Sequence, residues 1–346
     1  MRQRVRAVLA AGGLVALPTE TVYGLAARAD LPQALDRLRA LKGSAAERAL
    51  TWHVGERAAL ERFPRPSPMA RRLARRYWPG PLTLVLPGVP AGLEGAAADG
   101  WTGIRLPAHQ GTAQLLQSLD FPVVATSANR AGEPPLSAAA EIAARFGPGL
   151  DLVLDGGPPR LGESSAVLRV GPGHFELLRA GLTDLEQLRR TAGLRIGFVC
   201  TGNTCRSPMA EGLARDLLAR RLEIAPERLG EFGFRVTSMG VLGGSGLPPA
   251  AHGVEVLAAR GIDIARHASR PAVPHEIKEL DLVLALTAGH LDSLHLLMPP
   301  GGTRHCELLD PEGGDVPDPI GGTRADYERT AERILRALER RIDEWV

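Results

Sequence analysis

Cysteine is scarce in this chain: three residues in 346 cannot build a disulfide framework, so a reducing compartment is expected. No Cys-x-x-Cys pair exists, which removes the usual zinc signature, and no metal site is expected. No stretch reaches the roughly 20 apolar residues that a membrane helix needs, so no membrane partner is expected. Charge of one sign is missing too. Lys plus Arg number 41 and Asp plus Glu 39, a net charge of +2, so any basic site must be local. Lysine is far outnumbered by arginine, a compositional bias. The start, "MRQRVRAVLAAGGLVAL", has a basic beginning and a short apolar run. Gly12-Gly13 breaks it and no A-x-A site follows, so it is read as folded chain and the protein as cytoplasmic. No internal repeat is visible. "LEGAAADG" is the one low-complexity loop.

What is present is the patterning of a soluble enzyme, with 44% hydrophobic and 23% charged residues. The length suggests two domains, because single cores rarely grow much past about 250 residues. Strand-like and helix-like segments alternate, which argues α/β. "LVALP", "LTWHV", "LTLVL", "TGIRL", "FPVVATS", "LDLVLD", "SAVLRV" and "HFELL" read as strands, "RVRAVLAA", "PQALDRLRAL" and "MARRLARRYW" as helices. Many strands with few helices between the later ones predict a twisted mixed sheet. From "RIGFV" onward a regular β-α-β series predicts a parallel sheet flanked by helices. The domains are set at 1–185 and 194–346, with a helical linker at 186–193.

Two cysteines, Cys200 and Cys205, stand in "FVCTGNTCRSPMAEGL". The strand "RIGFV" ends at Cys200, and a helix follows with Ser207 expected at its N-cap and Pro208 at its first position. Amide groups at such a junction converge on an anion, helped by the helix dipole. Gly202 is expected to give the loop its freedom, and Arg206 can hold two phosphate oxygens. These features favour thiolate at Cys200. A buried structural cysteine in a turn is the bland reading; the Cys-x5-Arg-Ser-Pro spacing argues against it. A nucleophile of this kind needs a leaving-group acid. "DVPDPIGG" offers Asp318 at the carboxyl edge of the sheet.

From 194 to the end, "VCTGNTCRSPMAE", "VTSMGV", "GIDIARHASRP", "LDLVLALT" and "DVPDPIGG" resemble the low-molecular-weight protein-tyrosine phosphatases, in that family's order. The resemblance implies a phosphocysteine on Cys200, phosphoryl binding by Arg206, and Asp318 as acid and then base. It implies that Asn203, Ser207 and His267 shape the loop. Cys205 would trap an oxidised Cys200 as a reversible disulfide. It also implies phosphorylated protein substrates and no cofactor. Thr204 stands where tyrosine-directed members carry an aliphatic residue, and the loop looks closest to the YwlE-type protein-arginine phosphatases. A polar wall suits a guanidinium better than a phenol ring, so phosphoarginine is favoured over phosphotyrosine. Ile320 stands where those arginine phosphatases carry an aromatic.

In the first half, "GGLVALPTETVYGLAARA" reads as a strand running into a polar turn with Thr19, Glu20 and Thr21. With "LKG", "LTWHV", "WPGPLTLVL", "GIRLPAH", "VVATSANRAGEPP", "GESSAVLRV" and "LLRAG", it resembles the YrdC-like threonylcarbamoyl-adenylate synthases. That resemblance implies L-threonine, bicarbonate and ATP as substrates, with Mg²⁺ on the triphosphate, and a product used in tRNA modification. Thr19, His53 and Arg105 would contact threonine or its carbamate. Lys42, Thr126, Ser127, Asn129 and Ser165 would line the nucleotide site, and Arg179 would close it. Some members bind RNA, so tRNA or another RNA is an expected partner. This chain reads "KGSAAERAL" where the family reads Lys-Gly-Arg-Pro, with Ser44 in place of Arg; Arg48 is the one nearby substitute. Two readings stay open: a two-headed enzyme, or a phosphatase fused to a non-catalytic nucleotide- or RNA-binding module. The intact Cys200, Arg206 and Asp318 set argues against a scaffold with both sites dead.

Overall fold

The computed structural model describes residues 1–43, 49–130, 132–171, 173–299, 302 and 305–346. Ser44 and Arg48 lie outside the described residues. Two units separate, Met1–Leu188 and Arg189–Val346, each built on its own sheet. The stretch expected as a linker, 186–193, falls on the helix Leu185–Ala192 and the residue after it, across that division.

The first unit holds β1 (Val15–Leu17), β2 (Gly24–Arg28), β3 (Thr51–His53), β4 (Leu82–Pro87), β5 (Trp101–Arg105), β6 (Val123–Ser127), β7 (Leu152–Val153), β8 (Ala166–Val170) and β9 (Phe175–Arg179). They form one sheet in the order β7-β1-β2-β6-β3-β5-β4-β8-β9. β1 with β7, β3 with β5 and β4 with β8 are parallel, and the remaining neighbours antiparallel, so the sheet is mixed as expected. Val5 and Leu9 of the helix Arg2–Ala10, and Leu115 and Leu116 of the helix Gln110–Gln117, pack with Val15, Leu17, Ala26, Val123 and Ala125. One apolar face is thereby buried.

The second unit holds β10 (Arg195–Cys200), β11 (Arg235–Gly240), β12 (Leu282–Ala285) and β13 (Cys306–Leu308), all parallel in the order β11-β10-β12-β13. Central β10 is buried on both faces from Ile196 to Cys200, which explains its unbroken apolar run. Met239, Ile277, Val283, Leu294 and Met298 pack about Val199 in the core. The helices Arg206–Leu222 and Arg324–Trp345 pack against each other.

β2, β13 and the helices Gln110–Gln117, Ala139–Phe146 and Pro274–Lys278 were not expected from the sequence. β2 is a run of small residues, nearly all buried, so it lacks the alternation that marks a half-exposed strand. The helix Gln110–Gln117 is capped by His109, whose Nδ1 accepts from Thr112 N at 3.2 Å, outside the usual Ser/Thr/Asp/Asn signal. Among the described residues no helix is long and apolar enough to cross a membrane.

Candidate active sites

Side chains two apart on a strand share a face, and here that face is the floor of a cavity. Thr51 and His53, Thr83 and Val85, Gly103 and Arg105, Ala125 and Ser127, and Val167 and Arg169 line it, across the adjacent strands β3, β4, β5, β6 and β8. Its volume is about 620 Å³. Thr19, Lys42, His53, Arg105, Thr126, Ser127, Asn129, Ser165 and Arg179 all line this one cavity, although they come from distant parts of the chain.

Lys42 ends the helix Pro32–Lys42, which Gly43 closes in the left-handed conformation at φ 65°. Its buried ammonium donates to Ser127 O at 2.6 Å, to Ser127 Oγ at 3.1 Å and to Asn129 Oδ1. It is one of only two lysines in the chain. In a protein that otherwise uses arginine, this is a signal that a compact charge is needed here. Arg105 donates to Glu20 Oε1 and Thr21 Oγ1, each at 2.7 Å, and both partners of the ion pair are buried. Glu20 Oε2 also accepts from Ala108 N at 2.8 Å. Glu20 is therefore the partner that keeps a buried guanidinium in place. Thr19 Oγ1 donates to Val22 O at 2.6 Å and pins the turn.

His53 Nδ1 donates to Thr51 O at 3.0 Å, which leaves Nε2 as an acceptor. Burial, and then the Arg105 charge, hold its pKa down at about 4. The imidazole is neutral at physiological pH. Arg179 donates to Ser165 O at 2.9 and 3.0 Å and to Ser165 Oγ at 3.1 Å.

In the second unit the loop from Cys200 to Cys205 joins β10 to the helix Arg206–Leu222. The helix begins at Arg206 with Cys205 at its N-cap, two positions earlier than expected. Ser207 is thus inside the first turn and does not cap it. Its hydroxyl lies 2.9 Å from Cys200 Sγ and accepts from Asn203 Nδ2 at 2.9 Å. The flexible position also differs: Asn203, at φ 54°, takes the left-handed conformation, and Gly202 does not. Asparagine tolerates that region better than most residues.

The directions of the bonds around Asn203 follow from donor chemistry. Asn203 Oδ1 accepts from Arg270 N at 2.9 Å, and Nδ2 donates to Ser207 Oγ and to Ser238 Oγ at 2.9 Å. Ser238 donates to Glu211 Oε2 at 2.7 Å. Ser207 Oγ accepts from Asn203, and its own proton has two acceptors within reach, the Cys200 sulfur at 2.9 Å and Met239 O at 3.5 Å, of which the sulfur is much the nearer. His267 Nε2 donates to Asn203 O at 2.8 Å, so this histidine supports the loop backbone.

Arg206 is buried and donates to Asp318 Oδ2 at 2.5 Å, to Thr201 Oγ1 at 3.2 Å and to Val316 O at 3.3 Å. Asp318 is half-exposed. Cys205 is buried against Tyr327, 3.4 Å from Sγ to the phenol oxygen, with Thr204 Oγ1 at 3.7 Å. Burial, and then Cys205, push the Tyr327 pKa up, so it stays a neutral hydroxyl. Cys200, Cys205 and Cys306 are all free thiols. Ser238, Glu211, Thr201, His290 and Tyr327 were not singled out from the sequence. Thr201, Glu211 and Ser238 lie inside quoted motifs, and His290 and Tyr327 had no local signal.

A cation-lined cavity on a mixed sheet is thus joined in one chain to a cysteine-centred anion loop on a parallel sheet. The Sua5/YciO/YrdC family, described as telomere recombination, matches residues 7–181. The low molecular weight phosphotyrosine protein phosphatase family matches residues 195–345. A threonylcarbamoyl-AMP synthase of Pyrococcus abyssi is 36% identical over 207 residues, covering 58% of this chain and 60% of its own length. The chain therefore spans well under two thirds of that relative. The structure of P. abyssi Sua5 complexed with L-threonine is 25% identical at a TM-score of 0.51, over 69% of this chain and 88% of that one. The YwlE arginine phosphatase from Geobacillus stearothermophilus is 32% identical at a TM-score of 0.37, over 42% and 89%. The chain belongs to the Sua5/YciO/YrdC family through its first unit and carries a low-molecular-weight phosphotyrosine phosphatase domain in its second.

Proposed function

We propose that the chain is a bifunctional enzyme. Its first unit makes L-threonylcarbamoyl-AMP from L-threonine, bicarbonate and ATP for tRNA modification, and its second removes phosphoryl groups from proteins through a phosphocysteine. The observation that carries the reading is convergence. Residues scattered from Thr19 to Arg179 line one cavity, while the chain from Cys200 to Asp318 closes one hydrogen-bonded loop.

In the first unit, His53 and Arg105 would hold threonine and its carbamate. A carbamate oxygen attacks the α-phosphorus of ATP, forming the O–P bond as the bond to pyrophosphate breaks. Lys42 would turn from Ser127 and Asn129 to the phosphate oxygens, and Arg179 would cover them. Among the described residues no three His, Cys, Asp or Glu side chains cluster as a metal site. The Mg²⁺ expected with ATP would be held by the triphosphate itself. Pyrophosphate release that requires threonine and bicarbonate and is lost in Lys42→Ala supports this reading. Release no greater than in that variant would favour a non-catalytic nucleotide- or RNA-binding module.

In the second unit, the Cys200 sulfur attacks phosphorus while Asp318 gives its proton to the departing oxygen or nitrogen. Arg206 leaves Asp318 for two phosphoryl oxygens, and the Ser207 proton supports the sulfur as it leaves again. Asp318 then takes a proton from the water that hydrolyses the phosphocysteine. Hydrolysis of a generic aryl phosphate should disappear in Cys200→Ser; substantial turnover in that variant would remove the mechanism.

Phosphoarginine is the favoured substrate. In the loop that follows Cys200, Thr204 carries a hydroxyl, which lies 3.7 Å from Cys205 Sγ, where an aliphatic residue would be expected for a phenol ring. Phosphoarginine peptides should be cleaved faster than phosphotyrosine peptides. An unchanged preference in Thr204→Ile would refute the role given to Thr204.

A further inference from the structure

We propose that His290 is a positioning residue for Arg206, acting through Thr201, and that it sets phosphate affinity in the second unit; this rests on the phosphatase reading of the Cys200 loop. A guanidinium can only donate, so Thr201 Oγ1, at 3.2 Å from Arg206, accepts from it. Thr201 Oγ1 also lies 2.9 Å from His290 Nε2, and His290 Nδ1 lies 2.9 Å from Thr287 Oγ1. Each hydroxyl can donate or accept, so either neutral tautomer of the ring completes the relay.

Thr287 is itself fixed. It caps the helix Ala288–Leu297, where its hydroxyl accepts from His290 N. Asp315 Oδ1 holds the same helix end by accepting from Ala288 N at 2.8 Å. The relay thus runs from Arg206 through Thr201 and His290 to a rigid helix cap. His290 is buried. The charged groups that face it are Arg206, which disfavours a second positive charge, and Asp318 and Asp315, which favour one. Burial and Arg206 prevail, and the ring stays neutral down to about pH 4. The need for this arrangement follows from the ion pair of Arg206 with Asp318. When phosphate draws the guanidinium away from that carboxylate, the bonds to Thr201 Oγ1 at 3.2 Å and to Val316 O at 3.3 Å are left to keep its plane set for bidentate binding.

The test uses the full chain, with an aryl phosphate as substrate and inorganic phosphate as competitive inhibitor. His290→Leu and Thr201→Val should each raise KM and the phosphate Ki about tenfold, with a smaller change in kcat, as expected for one lost bond to a charged group. The double variant should be no worse than either single one, because both break the same relay. His290→Gln, which keeps an acceptor, should bring Ki back toward wild type. A Ki within twofold of wild type in Thr201→Val, a near-isosteric change, would overturn the proposal, as would effects that multiply in the double variant. Calorimetry of phosphate binding reads the same variants without turnover. A wild-type chain lacking Cys200-dependent hydrolysis would sink the phosphatase reading while leaving the relay separately measurable.

Discussion

At the scale of single residues, the two sites place histidines with similar constraints. His53 and His290 are both buried, and both are held near pKa 4 by burial and by a neighbouring arginine. The sign follows from linkage. An unfolded histidine takes its proton near pH 6.5, before the folded one can, so stability is complete above that value and is lost as pH falls toward 4. For fully buried His53 the loss at pH 4.5 should be about 2.5 kcal/mol at 1.36 kcal/mol per pH unit. Urea unfolding at pH 7 and 4.5 should show His53→Gln losing less than wild type by about that amount; equal losses would mean that His53 titrates normally. Asn203 is constrained in another way, by its positive φ and its buried amide. Asn203→Ala should destabilise the second unit by about 2–3 kcal/mol, since it strands Ser207, Ser238 and the Arg270 amide. Thermal unfolding measures this. The chemistry-bearing residues were legible because their spacing is short and their types are rare. That Asn203 takes the left-handed turn was not legible, because Gly202 satisfies the same local rule and only the surrounding partners distinguish them.

At the scale of elements, strand–loop–helix is the device that holds the Cys200 sulfur over a helix N-terminus. Its least obvious part is Gly240, at the end of β11. A Cβ there would meet Thr201 O at 2.7 Å and Asn203 N and Gly202 C at 3.0 Å, all backbone atoms of the phosphate loop. Gly240→Ala should therefore displace the loop and lower kcat/KM on an aryl phosphate about a hundredfold. Near-native circular dichroism would locate the fault in the loop, and activity within threefold of wild type would show that the loop gives way freely. Long elements, such as Arg206–Leu222 and the strongly amphipathic Arg324–Trp345, could be read from the chain. The three-residue β13 and the small-residue β2 could not, because elements this short form through the neighbours they pair with.

At the scale of the whole molecule, the described residues of each site lie within one unit, Met1–Leu188 for the cavity and Arg189–Val346 for the Cys200 loop. Cys200→Ser should leave threonine-dependent pyrophosphate release unchanged, and Lys42→Ala should leave aryl phosphate hydrolysis unchanged. A loss of either activity through the other unit's variant would mean that the sites are coupled. Residue order was enough to announce two α/β units and the sulfur loop with its arginine, because those signals are local in type and spacing; the side chains that share the cationic cavity were expected only from the resemblance to the YrdC-like synthases. Folding alone decided that Glu20 would hold Arg105, that Ser207 would serve the sulfur and not the helix end, and that His290 would stand behind Arg206. Those partners lie far apart along the chain or compete with equally good local bonds, so their choice waits on which surfaces are buried together.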